Sequence, residues 1–189
     1  MSNVVSIAVF ASGSGSNFQA IQEAIERDEL NAKIELVVTD KPGAYVVERA
    51  KEKNIPVLAL SPKDFDSKVA YEQAILAKLY EYEVKWIVLA GYMRLIGETL
   101  LDSYTSKIVN IHPSLLPSFP GKDAIGQAMA HRVKVTGVTV HFVDAGMDTG
   151  PIIAQRAVTV TDGNREATEQ AIHAIEHDLY TEALKKTLK

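Results

Sequence analysis

Asn110-Ile111-His112-Pro113-Ser114-Leu115-Leu116-Pro117 is the segment whose residue types and spacing speak most directly of chemistry. Period-2 strand geometry sets Asn110 and His112 on one face, and Pro113 ends the strand just beyond them. An amide beside an imidazole offers two donors to one developing oxyanion; the competing reading is a packed core histidine. Ser12-Gly13-Ser14-Gly15-Ser16-Asn17 is a second candidate. Its small residues let the backbone approach an anion, and the helix that follows presents unpaired N–H groups and the positive end of its dipole. No Walker Lys-Ser/Thr follows. Phe18 stands where a dinucleotide fingerprint needs a third small residue, although Asp40 at the next strand end could meet a ribose. A tight turn with a helix cap is the ligand-free alternative. The third candidate is the Gly-punctuated loop Asp144-Ala145-Gly146-Met147-Asp148-Thr149-Gly150-Pro151. It is either a solvated turn or the source of a carboxylate that faces His112, holds its tautomer and stabilises positive charge on it. His112, His141 and an aspartate could be imagined as metal ligands, but no metal-ligand spacing joins them, and no metal is expected. Met93 and Arg94, after Gly91-Tyr92, read by default as core packing and surface charge.

The elements that must hold these segments alternate between short β-branched runs and amphipathic helices. Val4–Ala11, Ile34–Thr39, Pro56–Leu60, Trp86–Ala90 and Lys107–His112 read as strands, the first apolar enough to be covered on both faces. Helices are expected after the Gly-Ser loop, with Phe18, Ile21 and Ile25 on one face, and over Tyr45–Lys53. A third runs from the N-cap Ser67 to about Tyr82 with Tyr71, Ile75 and Leu79 as its buried stripe. The last runs from about Asn164 to Leu188, with Ile172, Ile175 and Leu179 at helical spacing. From Val135 an alternating run and then Ile152–Thr161 predict antiparallel or mixed strands at one edge. This order predicts one doubly wound α/β domain over residues 1–189: a mostly parallel sheet, helices on both faces, an antiparallel edge. Ligands bind beyond the carboxyl ends of such strands.

Composition narrows the chemistry. The 189 residues include 20 Lys+Arg against 24 Asp+Glu and no cysteine. Thiolate metal sites, iron–sulfur clusters, disulfides and cysteine nucleophiles are therefore excluded, and a formal charge of -4 argues against nucleic acid or anionic membrane as partner. No apolar run approaches the roughly 20 residues of a spanning helix. Arg27 is the first basic residue, so Val4–Ala11 reads as a buried strand rather than a signal-peptide core, and the cytoplasm is the expected compartment.

Taken in order, the segments resemble the phosphoribosylglycinamide formyltransferases, a folate-dependent family of de novo purine synthesis. The resemblance rests on Ser12–Asn17, Ala90-Gly91-Tyr92-Met93-Arg94, Asn110–Pro117 with Pro120-Gly121, Gly137–Val143 running on to Asp148-Thr149-Gly150-Pro151, and Glu176-His177. It covers nearly the whole chain. It implies a Rossmann-like formyltransferase fold and transfer of the formyl group of 10-formyltetrahydrofolate to the amine of glycinamide ribonucleotide, giving formylglycinamide ribonucleotide and tetrahydrofolate. Residue by residue, it implies that Gly15, Ser16 and Asn17 hold the ribonucleotide phosphate and that Glu176 touches the same substrate. Lys68, Met93, Arg94, Leu95, Ile96, Asn110, Asp144 and Asp148 would line the folate side. Asn110, His112 and Asp148 would be catalytic: the first two stabilise the oxyanion of a tetrahedral intermediate, and Asp148 assists proton transfer. A cis peptide before Pro117 is implied too, as are two small-molecule substrates and a monomer or homodimer. Lys68 stands where some members have Arg, which turns a bidentate contact into a point charge; Asp123 stands where some have His, and Thr181 where Pro is common. Two sister activities share the catalytic trio. Formyltetrahydrofolate deformylase resembles this domain behind a regulatory domain, and methionyl-tRNA formyltransferase adds a tRNA-binding domain. The length disfavours both, and the acidity disfavours the second. A nucleotide-binding dehydrogenase and a non-catalytic sugar-phosphate module are the readings from other classes.

Overall fold

The apolar run at the start of the chain has to be covered on both pleat faces, and the computed structural model, which describes residues 4–189, covers it so. Strand β1 (Val5–Phe10) sends Ile7 and Val9 into one core and Ala8 and Phe10 into the other. Strands β2 (Ala32–Thr39), β3 (Val57–Ala59), β4 (Trp86–Leu89) and β5 (Ile108–His112) join it in parallel. Strands β6 (Val135–Phe142) and β7 (Ile152–Thr159) complete the sheet as an antiparallel edge, in the order β3-β2-β1-β4-β5-β6-β7.

Helices α1 (Ser16–Glu26), α2 (Val46–Glu52) and the long C-terminal α6 (Arg165–Thr187) bury Phe18, Ile21, Val46, Ile172, Leu179 and Tyr180 against one face. Helix α3 (Lys68–Glu81) covers the other with Tyr71, Ile75 and Leu79, joined by Leu100 of α4 (Glu98–Ser103). Each side chain of that stripe contributes about 1.5–3 kcal/mol through burial. Ser67 caps α3 as its sequence predicts, its Oγ accepting from Ala70 N–H at 3.0 Å. Helices α4 and α5 (Ala124–Ala130) are the two that sequence pattern does not reveal. They are one to two turns long, and α5 carries Gly126 inside an Ala-rich segment, so neither shows a readable apolar stripe. Asp123 starts α5: its carboxylate accepts from Gly126 N–H at 3.2 Å and meets Arg165 at 2.6 Å, tying α5 to α6.

The strand order reverses between β1 and β4. Chain leaving β1 runs to α1 on one face and chain leaving β4 runs to α4 on the other, so the connections part at the carboxyl ends and leave a crevice. No helix among the described residues is long and apolar enough to cross a membrane.

Candidate active site

Two segments meet at that reversal. Ser12 N–H donates to Gly91 O at 3.0 Å, and the Ser12 hydroxyl donates to Asp40 Oδ1 at 2.5 Å while accepting from Met93 N–H at 2.9 Å. One buried serine thus joins the loop after β1 to the end of β2 and to the segment after β4. Asp40, which sequence pattern offered to a ribose, is occupied by that bond. Gly15 enters α1 at φ 75°, and the first helical bond runs from Gln19 N–H to Gly15 O at 2.9 Å. The N–H groups of Ser16, Asn17 and Phe18 therefore keep no partner among the described residues, and the first turn of α1 carries no acidic residue. An anion can be accommodated there. Glu176 is buried in α6 and accepts from His173 Nδ1 at 2.9 Å; among the described residues no hydrogen bond joins it to the 12–17 loop.

At the carboxyl end of β5, antiparallel pairing sets Asn110 opposite His141 and His112 opposite Thr139. The loop beyond is locked by buried hydroxyls. Thr139 Oγ1 donates to Ser114 O at 2.7 Å and accepts from Leu116 N–H at 3.1 Å, and Ser114 Oγ donates to Ser118 O at 2.6 Å. The Leu116–Pro117 bond is cis, in line with the resemblance. Phe119 is held at φ 54°, a strained setting for a bulky residue, and its carbonyl faces His112 Nε2 at 2.9 Å. A carbonyl can only accept, so Nε2 carries the proton and Nδ1 is the nitrogen turned to Asp148 Oδ2, at 3.5 Å. Gly121 N–H donates to the same oxygen at 2.7 Å.

His141 completes the cluster. Its Nδ1–H donates to Phe142 O at 2.8 Å, so its Nε2 lone pair accepts from Asn110 Nδ2 at 3.3 Å and sets which end of that amide faces which way. Burial pushes the His141 imidazole below its usual range, outweighing the attraction of Asp148 Oδ1 at 3.7 Å, and the ring is neutral. Asn110, His112 and Asp148 are thus brought together with a second histidine between them. Sequence pattern offered His141 only as a metal ligand; its placement in the strand alternation was legible, its role was not. The two loop carboxylates also part company. Asp144 Oδ1 accepts from Gly146 N–H at 3.0 Å and from Thr149 Oγ1 at 2.6 Å, closing its own turn, while Asp148 alone reaches the imidazoles.

The segment after β4 forms the other wall. Met93 and Leu95 are exposed on it, Arg94 lies 5.8 Å over the Tyr71 ring, and Ile96 is a core residue whose side chain points away from solvent. Lys68 is exposed at the start of α3, and its Cε sits close enough to Gly97 that a Cβ there would lie 2.9 Å away. Tyr92 and Val143 pack in one cluster, which puts this wall and the 144–149 loop on a common base. Met147 is exposed on the latter.

Residues 5–184 match the formyl transferase family. The phosphoribosylglycinamide formyltransferase of Bacillus subtilis (strain 168) is 54% identical over 182 residues, which are 96% of this chain and 93% of that protein. The human trifunctional purine biosynthetic protein adenosine-3 is 37% identical over 179 residues, and the match takes in 94% of this chain but only 18% of that longer protein. Among solved structures, glycinamide ribonucleotide transformylase 1 from Geobacillus kaustophilus is 58% identical, with a TM-score of 0.96 over 98% of this chain and 100% of that one.

Proposed function

The chain belongs to the formyl transferase family, and from that premise we propose that it transfers the formyl group of 10-formyltetrahydrofolate to the amine of glycinamide ribonucleotide, a step of purine biosynthesis. The observation that carries this reading is the meeting of the Asn110 amide, the His112 imidazole and the Asp148 carboxylate at the same carboxyl edge of the sheet as a loop with unpaired N–H groups. The donor fits the other wall: the exposed Met93, Leu95 and Met147 suit a flat heteroaromatic ring, and Lys68 suits an anionic tail. The folate supplies an activated formyl carbon; binding, orientation and proton handling fall to this chain.

The roles follow from the chemistry of the groups. Gly15, Ser16 and Asn17 hold the phosphate, and Glu176 contacts the rest of the ribonucleotide. As the amine adds to the formyl carbon, charge develops on the formyl oxygen. The second N–H of Asn110 and an Nδ1–H of charged His112 are the donors for it, each worth about 10²–10³ in rate where such donors have been removed. The Nε2–H bond to Phe119 O keeps the ring in one orientation throughout. Asp148 stabilises the positive charge on His112, and the amine's proton passes to the leaving folate nitrogen by His112 or through a water that Asp148 holds. Lys68, Met93, Arg94, Leu95, Ile96, Asn110, Asp144 and Asp148 make up the folate side, with Ile96 acting through backbone and Asp144 through the loop it closes. On this reading residues 1–189 act as one formyltransferase domain in the cytoplasm, as a monomer or homodimer, with two small-molecule substrates, no metal, and neither nucleic acid nor membrane as partner.

Incubation with 10-formyltetrahydrofolate, with and without glycinamide ribonucleotide, tests the proposal. Tetrahydrofolate that forms only when the ribonucleotide is present is the expected result. Equal release without it would make water the acceptor and overturn the transferase reading.

A further inference from the structure

A backbone loop binds an anion only if its carbonyl oxygens are turned elsewhere, because a C=O dipole aimed at the ligand cancels what the N–H groups contribute. In the loop after β1 the carbonyls are taken by α2. Val46 N–H donates to Gly13 O at 3.1 Å, and Arg49 Nε–H donates to Ser14 O at 2.8 Å. The contact between the two segments is close: a Cβ on Gly15 would come within 2.7 Å of Val46 Cγ2. The guanidinium of Arg49 lies 5.0 Å over the Tyr45 ring, a cation–π contact that holds its plane while its Nη groups have no partner among the described residues. Its neighbours are committed otherwise. Lys51 pairs with Glu48 and Lys53 with Glu26, whereas no carboxylate pairs with Arg49 among the described residues. In a chain of net charge -4 this leaves a free cation beside the unpaired N–H groups of α1.

We infer that Arg49 is a positioning residue for the ribonucleotide phosphate: it turns the Ser14 carbonyl away from the anion and adds an unpaired positive charge next to it. The inference rests on the phosphate role proposed for the 12–17 loop. Sequence pattern offers only Ser12–Asn17 for this anion, because Arg49 lies in another helix and nothing local connects it to the loop.

The test separates charge from mere support. Calorimetric titration of glycinamide ribonucleotide and of its dephosphorylated riboside into wild type, Arg49→Gln and Arg49→Lys compares the two ligands directly. Arg49→Gln is expected to weaken ribonucleotide binding about tenfold, the usual scale for a hydrogen bond or contact to a charged group, and to leave the riboside within about twofold. Arg49→Lys, which keeps the charge, should recover most of the ribonucleotide affinity and so rules out a folding defect as the cause. If Arg49→Gln weakens both ligands equally, or neither, the positioning role is wrong while the phosphate loop stands. Should wild type bind riboside as tightly as ribonucleotide, the phosphate reading of the loop fails, and this inference fails with it.

Discussion

Thr139 and Thr136 lie on the same strand at 0% and 1% exposure, yet valine in their place should move stability in opposite directions. The two substitutions remove the same hydroxyl from the same β-branched shape, so strand propensity and side-chain entropy cancel. What differs is the hydrogen-bond account. Thr139 Oγ1 donates to Ser114 O and accepts from Leu116 N–H and Gln155 Nε2 at 2.7, 3.1 and 3.0 Å. Gln155 retains Leu116 O at 2.9 Å, but valine strands the Ser114 carbonyl and the Leu116 amide in the interior. Two stranded groups at about 1–3 kcal/mol each make a loss of about 2–6 kcal/mol the expectation, or about 5–20 °C in Tm for a chain of this size. Thr136 Oγ1 is buried with no hydrogen-bond partner among the described residues. Its removal ends a desolvation cost, and Thr136→Val should gain about 1 kcal/mol. Urea unfolding of the three proteins, fitted with a common m-value, measures both effects. The reasoning fails if Thr139→Val lies within about 0.5 kcal/mol of wild type, or if Thr136→Val loses about 2 kcal/mol.

Asp148→Asn should lose at least ~100-fold in turnover while ribonucleotide affinity is kept; steady-state kinetics with near-wild-type turnover would remove the carboxylate from the mechanism. His141 bears on pH. Burial lowers its folded pKa, so the unfolded chain takes up a proton that the folded protein refuses, and stability falls as pH drops below the unfolded value of about 6.5. His173 is shifted the other way by its bond to Glu176, so the stability it contributes is complete below that value and is lost above it, leaving the acid side to His141. Urea midpoints from pH 7 to 5 should therefore decline less in His141→Gln than in wild type; an equally steep decline contradicts the assignment. Tyr180→Phe should cost about 1–2 kcal/mol, since the buried hydroxyl donates to Leu89 O and Val109 O at 2.6 and 3.2 Å where β4 and β5 separate. Unchanged unfolding free energy would show those carbonyls to be satisfied without it.

What a sequence makes legible here is what is local. The short apolar runs of β1, β4 and β5 and the 3.6-residue stripes of α1, α3 and α6 name the elements outright. The pairing of Asn110 with His112 on one face is local too. The choice between Asp144 and Asp148 is not, since both stand in one Gly-rich loop and only chain from elsewhere tells them apart. Gly121 N–H captures Asp148, which turns at φ 55°, while Asp144 is consumed by Gly146 and Thr149. His141 is the sharper case. Its alternation in β6 is plain in the sequence, but which residue stands across from it depends on how β6 is registered on β5, and that is a tertiary fact. A slip of one residue would bring Val140 or Phe142 opposite Asn110 and turn His141 to the other face. The Asn110 amide would then lose the lone pair that orients it, and Asp148 one of the two imidazoles it faces. The register shift between Val140 and His141 in the ladder with β7 fits the same reasoning, because an irregularity of this kind re-aims a side chain next to a site. Precision at the site is therefore owed to the antiparallel edge as much as to the residues that a sequence motif picks out.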